Sequence, residues 1–294
     1  MQLRRIFSGS PGARRWLAVG GLTLLLFIAS VSPFLSHASG QTPSPGTGAT
    51  MLLPGPARAS SAKTAQQWMV EGQKAQKAGD QMEAVYDFLN AQRLDPTSPE
   101  PLYAEGMSFF LIGWDKNETS YYDRAARHFK AALELDPKYD RAAFMMAMME
   151  VVHNRLEEAE PYFQRAIGLR PGNAYYHLYY GTLLQRMEKY DAAVEQMRLA
   201  EKLGPTYVQA YLTLGQLYAR KRQYQEARSQ LERAVQLDSK RAEPYYTLGS
   251  VYHHLGMNAE SQLSYRTFQR LKSVQPKPDP VAKAIQGRIA ADSK

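Results

Sequence analysis

Residues 125–137 read AARHFKAALELDP, and the same frame returns as AEPYFQRAIGLRP at 159–171 and AVEQMRLAEKLGP at 193–205. Each copy has a small residue, a large residue four positions on, a second small residue three further, and a closing proline. Spacings of four and three place all three side chains on one face of an α-helix, and the proline ends that helix. The prolines stand at Pro96, Pro137, Pro171 and Pro205, with Ser239 one step beyond. The last three intervals are equal, a period of about 34 residues. The full series is Ala84, Phe88, Ala91; Ala125, Phe129, Ala132; Ala159, Phe163, Ala166; Ala193, Met197, Ala200; and Ala227, Leu231, Ala234. It closes on a degenerate Ser261, Tyr265, Phe268.

An earlier set keeps the same register: Trp68 with Gly72, Leu102 with Gly106, Ala143 with Ala147, His177 with Gly181, Tyr211 with Gly215, and Tyr245 with Gly249. Each pair spans one helical turn. Every period therefore predicts two amphipathic helices joined by a short polar turn such as Ala78-Gly79-Asp80 or Gly256-Met257-Asn258. Small residues on both helices let the backbones approach, and the aromatic residue is expected to fill the gap between neighbouring hairpins. A lone hairpin cannot bury its apolar face, whereas stacked hairpins can.

This period, with Gly and the A-x3-F-x2-A frame before a proline, resembles the tetratricopeptide repeat family. The resemblance implies an all-α chain, a right-handed α-solenoid of about six helix-turn-helix repeats at 65–98, 99–139, 140–173, 174–207, 208–241 and 242–275. The second repeat carries seven extra residues around Gly113–Thr119, read as a loop extension that is either merely tolerated or contacts a partner through Trp114. The tail at 276–294 has Val281, Ile285 and Ile289 on one helical face and is expected to form a short capping helix.

In the family the first helix of each hairpin lines a concave groove that binds ligands. Its register here selects Tyr103, Met107 and Phe110; Arg141, Phe144, Met145 and Met148; and Tyr175, Leu178 and Tyr179, then turns polar at Gln209, Thr213, Gln216 and Arg220 and at Glu243, Tyr246, Ser250, His253 and His254. Some members grip a C-terminal carboxylate with lysine, asparagine and arginine. The corresponding positions here are Met69, Gln73, Ala104, Arg141 and Met145, so that clamp is missing. A groove rich in thioethers and rings suits a protein or peptide with an apolar or amphipathic segment. The same residues could instead pack against their own array.

Ahead of the repeats, Arg4, Arg5, Arg14 and Arg15 precede an almost wholly apolar run from Trp16 to Leu35. Charge before an apolar stretch is an export pattern, and Ser36-His37-Ala38 has the small-x-small form that signal peptidase accepts. Residues 1–38 are thus a signal peptide cleaved after Ala38, or a retained signal anchor, since about 20 apolar residues can span a bilayer. Either places the body beyond the membrane: in a bacterial periplasm, anchored to the inner membrane and facing the periplasm, or secreted. Residues 39–64, rich in Pro, Gly and Ser, are expected to be a disordered linker.

Half of the net charge of +8 sits in that leader, leaving a mild excess that does not suggest a nucleic-acid partner. Membrane contact is expected only through the leader, if it is retained. No cysteine occurs, which excludes disulfides, thiolate metal sites and a cysteine nucleophile. His253-His254 lack a ligand at i+3 or i+4, and Glu157, Glu158 and Glu160 open a helix whose positive end favours them. Asn117-Glu118-Thr119 matches the glycosylation tripeptide, which matters only in a cell that glycosylates exported chains. No phosphate loop or nucleophile elbow is present, so neither an enzyme, a cofactor nor a metal is expected. The reading is an exported scaffold that holds envelope proteins. Its alternatives are a non-catalytic subunit that regulates or localises a separate enzyme, and a self-associating structural protein.

Overall fold

A computed structural model of the chain describes residues 63–274. The leader, most of the linker and the tail helix expected within 276–294 lie outside the described residues. Among the described residues twelve helices pair into six hairpins and no strand occurs. One compact unit ends at Leu135 and a second begins at Asp136.

The first unit holds α1 (Ala65–Ala78), α2 (Gln81–Leu94), α3 (Pro99–Lys116) and α4 (Thr119–Leu135). Thr64 starts α1 through a reciprocal cap. Its hydroxyl accepts from the Gln67 amide at 3.2 Å, and the Gln67 side chain accepts from the Thr64 amide at 2.8 Å. Thr64, which composition alone assigns to the linker, is therefore the residue that opens the first hairpin.

The seven-residue insertion is helix rather than loop, which corrects the reading from sequence. Helix α3 has 18 residues and α4 has 17, and Asn117 closes the turn between them with φ of 56°. Seven residues divide into about one helical turn for each partner, so both apolar faces stay aligned. Ile112 and Gly113 extend the buried face of α3, and Gly113 admits Tyr122, whose ring would lie 3.1 Å from a Cβ placed there. Trp114 is half-buried.

The second unit holds α5 (Asp140–Val152), α6 (Leu156–Leu169), α7 (Ala174–Arg186), α8 (Tyr190–Leu203), α9 (Val208–Arg220), α10 (Tyr224–Leu237), α11 (Glu243–His254) and α12 (Asn258–Val274). Across the two units every hairpin turn places one residue in the left-handed region: Gly79, Asn117, Asn154, Glu188, Arg222 and Gly256. The turn needs that conformation whether or not glycine supplies it.

The packing inside each hairpin corrects a second expectation. In five hairpins the large residue of the second helix lies over the glycine of its own first helix; Phe163 of the third also reaches the next hairpin, where it stacks on Tyr180 at 6.0 Å. A Cβ on Gly72 would come within 2.5 Å of Phe88, on Gly106 within 2.6 Å of Phe129, on Gly215 within 2.4 Å of Leu231, and on Gly249 within 2.7 Å of Tyr265. The missing Cβ is the space the ring or leucine occupies. Gly181 makes the same contact with Met197 at 3.0 Å, and in the third hairpin, where Ala147 replaces glycine, Phe163 turns edge-on to Phe144 at 5.7 Å. The flanking alanines, from Ala84 and Ala91 through Ala227 and Ala234, are fully buried. In the sixth hairpin Ser261 takes the alanine position, and its buried hydroxyl donates to the Gly249 carbonyl at 2.7 Å. The polar replacement is thereby satisfied inside the hairpin.

Three of the links between hairpins are fixed by a side chain one turn into the next helix. The His177 ring nitrogen Nε2 meets the Pro171 carbonyl at 2.9 Å, and the hydroxyls of Tyr211 and Tyr245 donate to the carbonyls of Pro205 and Ser239 at 3.1 Å each. The link itself does not depend on proline, although proline favours an extended residue before it. Asp238, before Ser239, has φ −146° and ψ 89°, close to the −140° and 75° of Arg170 before Pro171. Among the described residues no helix is long and apolar enough to cross a membrane.

Candidate partner-binding surface

In the first unit Tyr103 and Met107 are half-buried, with the Tyr103 ring 5.7 Å from Phe129, while Phe110 is fully enclosed 5.7 Å from Tyr122. In the second unit Phe144, Met145, Met148, Leu178 and Tyr179 are all buried. Six of the residues selected as an apolar groove are thus interior. Helix α5 explains this: Ala142 through Met149 are buried without a break, so the helix is apolar on every side because it is covered on every side. Phe144 stacks on Tyr176 at 4.8 Å and meets Tyr179 at 5.5 Å, while Tyr180 stacks on Phe163 at 6.0 Å.

The second unit carries a half-buried strip where each first helix begins. Arg141 donates to the Tyr139 hydroxyl at 2.7 Å, Tyr175 packs on Tyr207 at 4.7 Å, and Arg241 donates to Gln209 at 2.6 Å. All six residues are half-buried. Burial, with Tyr175 beside it, pushes the Tyr207 hydroxyl up to about 12, so it stays a neutral hydrogen-bonding group. One end of the strip is anchored by buried Asp140, which accepts from the Tyr176 hydroxyl at 2.6 Å and pairs with Arg170 at 3.0 Å. The strip offers flat rings and amide or guanidinium groups, one set per hairpin step. Arg141 and Tyr175 were legible in the sequence. Gln209 also lies on the groove register, among its polar positions, whereas Tyr139, Tyr207 and Arg241 stand in the links, ahead of the helices along which that register runs.

A polar pair in the first unit, buried Glu105 with half-buried His128, also escaped the sequence reading. The Glu105 carboxyl lies 3.2 Å from His128 Nδ1, and its second oxygen has no hydrogen-bond partner among the described residues. Burial raises Glu105 to about 8; burial, then the charges of Arg127 and Arg124, lowers His128 to about 4. Near neutrality the pair holds one proton and no net charge. The signal was available, since the Glu105 register holds Met146, Tyr180, Leu214 and Leu248 in later hairpins.

Among the residues at the carboxylate-clamp positions, Met69 is buried in the core of the first hairpin and Ala104 packs against that core. His254 stacks on Tyr224 at 4.5 Å, and Glu160 accepts from Lys189 and from the Tyr180 hydroxyl. Among the described residues no group of three metal-ligating side chains converges.

Six hairpins, most with a large side chain seated on a glycine and all with one left-handed turn residue, define a helical-hairpin repeat protein. The family model for the tetratricopeptide repeat matches residues 118–174 and 181–260. Solved structures agree on the fold. MamA from Desulfovibrio magneticus RS-1 is similar at 21% identity and a TM-score of 0.53, covering 61% of this chain and 98% of its own. YrrB, described as a tetratricopeptide repeat protein with an unusual peptide-binding site, has 20% identity and a TM-score of 0.54, covering 68% and 97%. PilF of Pseudomonas aeruginosa has 17% identity and a TM-score of 0.62, covering 76% and 97%. At these identities the likeness speaks for the fold alone. No curated protein matches the chain.

Proposed function

We propose that this protein is an exported scaffold that binds a segment of another protein along the strip at the first-helix starts of its second unit. The observation that carries this reading is the strip itself: Tyr139 with Arg141, Tyr175 with Tyr207, and Gln209 with Arg241 recur along one edge at successive repeats. Rings there take up apolar side chains at low entropic cost, and the guanidinium and amide groups reach main-chain carbonyls. The expected partner is accordingly an extended segment of mixed apolar and polar character. Tyr103 and Met107 offer a smaller accessible apolar patch on the first unit. The peptide-binding site in YrrB's description supports a peptide ligand for this kind of fold. Export rests on the arginine-led apolar leader, which would place the repeats in the periplasm, either free after cleavage at Ala38 or tethered to the inner membrane. There the scaffold would assemble or position envelope proteins.

The test is photo-crosslinking in cells from Tyr175 and Gln209, with exposed Arg233 on α10 as the control position. Crosslinks to one protein from the two strip positions and none from Arg233 are expected. Crosslinks from Trp114 alone would move the functional surface to the lengthened second hairpin. Protease accessibility in spheroplasts checks export: a body protected in intact spheroplasts and digested only after lysis would sink it.

A further inference from the structure

The last described hairpin presents a stacking face that the earlier hairpins use and that no other described hairpin covers. Phe144, Leu178 and Leu212 share one register on successive first helices and are 2%, 3% and 3% exposed; the next member, Tyr246, is 57% exposed. On the second helices Phe163, Met197 and Leu231 are buried, whereas Tyr265 at the same register is half-buried. Tyr246 gathers Phe268 at 5.2 Å and Tyr265 at 6.0 Å into a ring cluster with no helix over it among the described residues.

A polar handle accompanies the rings. At one register of α6, α8 and α10 a side chain engages a tyrosine hydroxyl of the following first helix. Gln164 donates to Tyr180 at 3.1 Å, Arg198 donates to Tyr218 at 2.8 Å, and Glu232 accepts from Tyr252 at 2.9 Å. The next member is Arg266, which is exposed and has no partner among the described residues. Arg270 and Lys272 are also exposed, and residues 263–274 contain no acid. The third hairpin meets this kind of face with Tyr176, Tyr179 and Tyr180, at i, i+3 and i+4 of its neighbour's first helix.

We propose that the Tyr246–Tyr265–Phe268 face receives an acidic amphipathic helix of a partner protein, which stacks on the array as a seventh first helix and sets an aromatic hydroxyl or a carboxylate on Arg266. Charge selects this occupant. A second copy of the face would bring Arg266, Arg270 and Lys272 against themselves. The chain's own residues 275–294 carry Lys277, Lys283, Arg288 and Lys294 against Asp279 and Asp292, the same sign as the face. A lipid surface would satisfy the cations but not the ring register. The proposal shares with the functional reading above only the premise that the protein works by contact with other proteins.

The test uses the full chain and a fluorescent synthetic helix with tyrosines at i, i+3 and i+4 between glutamates, read by anisotropy. Saturable binding is expected, weakened at least about tenfold by Arg266→Glu and by Tyr246→Asp. Arg266→Glu should regain affinity for the same peptide with lysines replacing the glutamates, which a folding defect would not produce. The proposal is overturned if the peptide does not bind or binds Arg266→Glu equally. It is overturned too if binding appears only in the Ile285→Asp/Ile289→Asp chain, which would assign the face to the tail. A dimer in sedimentation that Tyr246→Asp abolishes would assign it to a second copy, and capture by phosphatidylglycerol vesicles in place of the peptide would assign it to lipid. Crosslinking from Tyr175 and Gln209 in the Arg266→Glu chain separates this proposal from the strip: those crosslinks should persist.

Discussion

The second and fifth hairpins answer the same structural demand with different interiors. Both set a large residue over a glycine, Phe129 on Gly106 and Leu231 on Gly215, and both turn through one left-handed residue, Asn117 and Arg222. Around that shared frame they diverge. The second hairpin runs to 18 and 17 residues per helix, the fifth to 13 and 14. Where the fifth buries Leu214 beside its glycine, the second buries Glu105 against His128. The repeat therefore constrains the close approach of its two helices and the turn between them, and leaves helix length and the polarity of the remaining interior free.

The largest loss is expected from the shared frame. Phe129→Ala should cost about 4 kcal/mol and Leu231→Ala about 3 kcal/mol in chemical denaturation, since each removes the side chain that fills the glycine's missing volume. A cost under about 1 kcal/mol in either hairpin would break the comparison. The next effect concerns the difference. Replacing Glu105 and His128 by the fifth hairpin's pair, Glu105→Leu with His128→Gln, should stabilise the first unit by about 2 kcal/mol at pH 8.

That exchange should also change how stability follows pH. Glu105 keeps its proton in the folded state up to about 8, while the unfolded chain releases it near its ordinary 4.5. Its contribution is therefore present below about 4.5 and is lost as pH rises toward 8. His128 refuses a proton until about 4, against an ordinary 6.5, so stability also falls as pH drops from 6.5 toward 4. Between 4.5 and 6.5 the two slopes oppose each other. In thermal unfolding from about pH 4 to about pH 8, the stability difference between wild type and double variant should run level between the two slopes and change on each side of them, because the slope from Asp87, which burial raises to about 6, is common to both chains. The smallest effect lies at the turns. Glu188→Gly and Arg222→Gly should each gain about 0.5 kcal/mol, relief of the left-handed strain exceeding the added chain entropy. Asn117→Gly should gain less, because asparagine already tolerates that conformation.

Much of the fold was legible because its frame is periodic in the sequence. The A-x3-F-x2-A face, the glycine about two turns into most first helices and the links near the prolines all fell where the repeat spacing set them. The inserted residues read as loop by their extra length alone, yet Gly113-Trp114-Asp115-Lys116 carries no helix breaker beyond one glycine and Asn117 is a good left-handed closer. The surface was harder to read. Periodicity identifies one apolar face well, but α5 is apolar on all sides, and its register cannot say which of Phe144, Met145 and Met148 remain open. The half-buried strip joins residues from consecutive links, Tyr175 with Tyr207 and Gln209 with Arg241, whose proximity depends on hairpin stacking and has no local sequence signature. Glu105 stood out in register, yet its partner His128 lies far along the chain on another helix.

The lengthened second hairpin also bears on how such a chain changes over generations. Two antiparallel helices that must keep glycine under ring lose alignment when one gains a few residues and the other none. About seven residues, one turn for each helix, restore both faces. Insertions within a hairpin are thus quantised, and intermediate lengths are filtered out by misplaced side chains before any partner is involved. An insertion in the links between hairpins meets no such rule, but there it would pull against the hydrogen bonds that His177, Tyr211 and Tyr245 make to the link carbonyls.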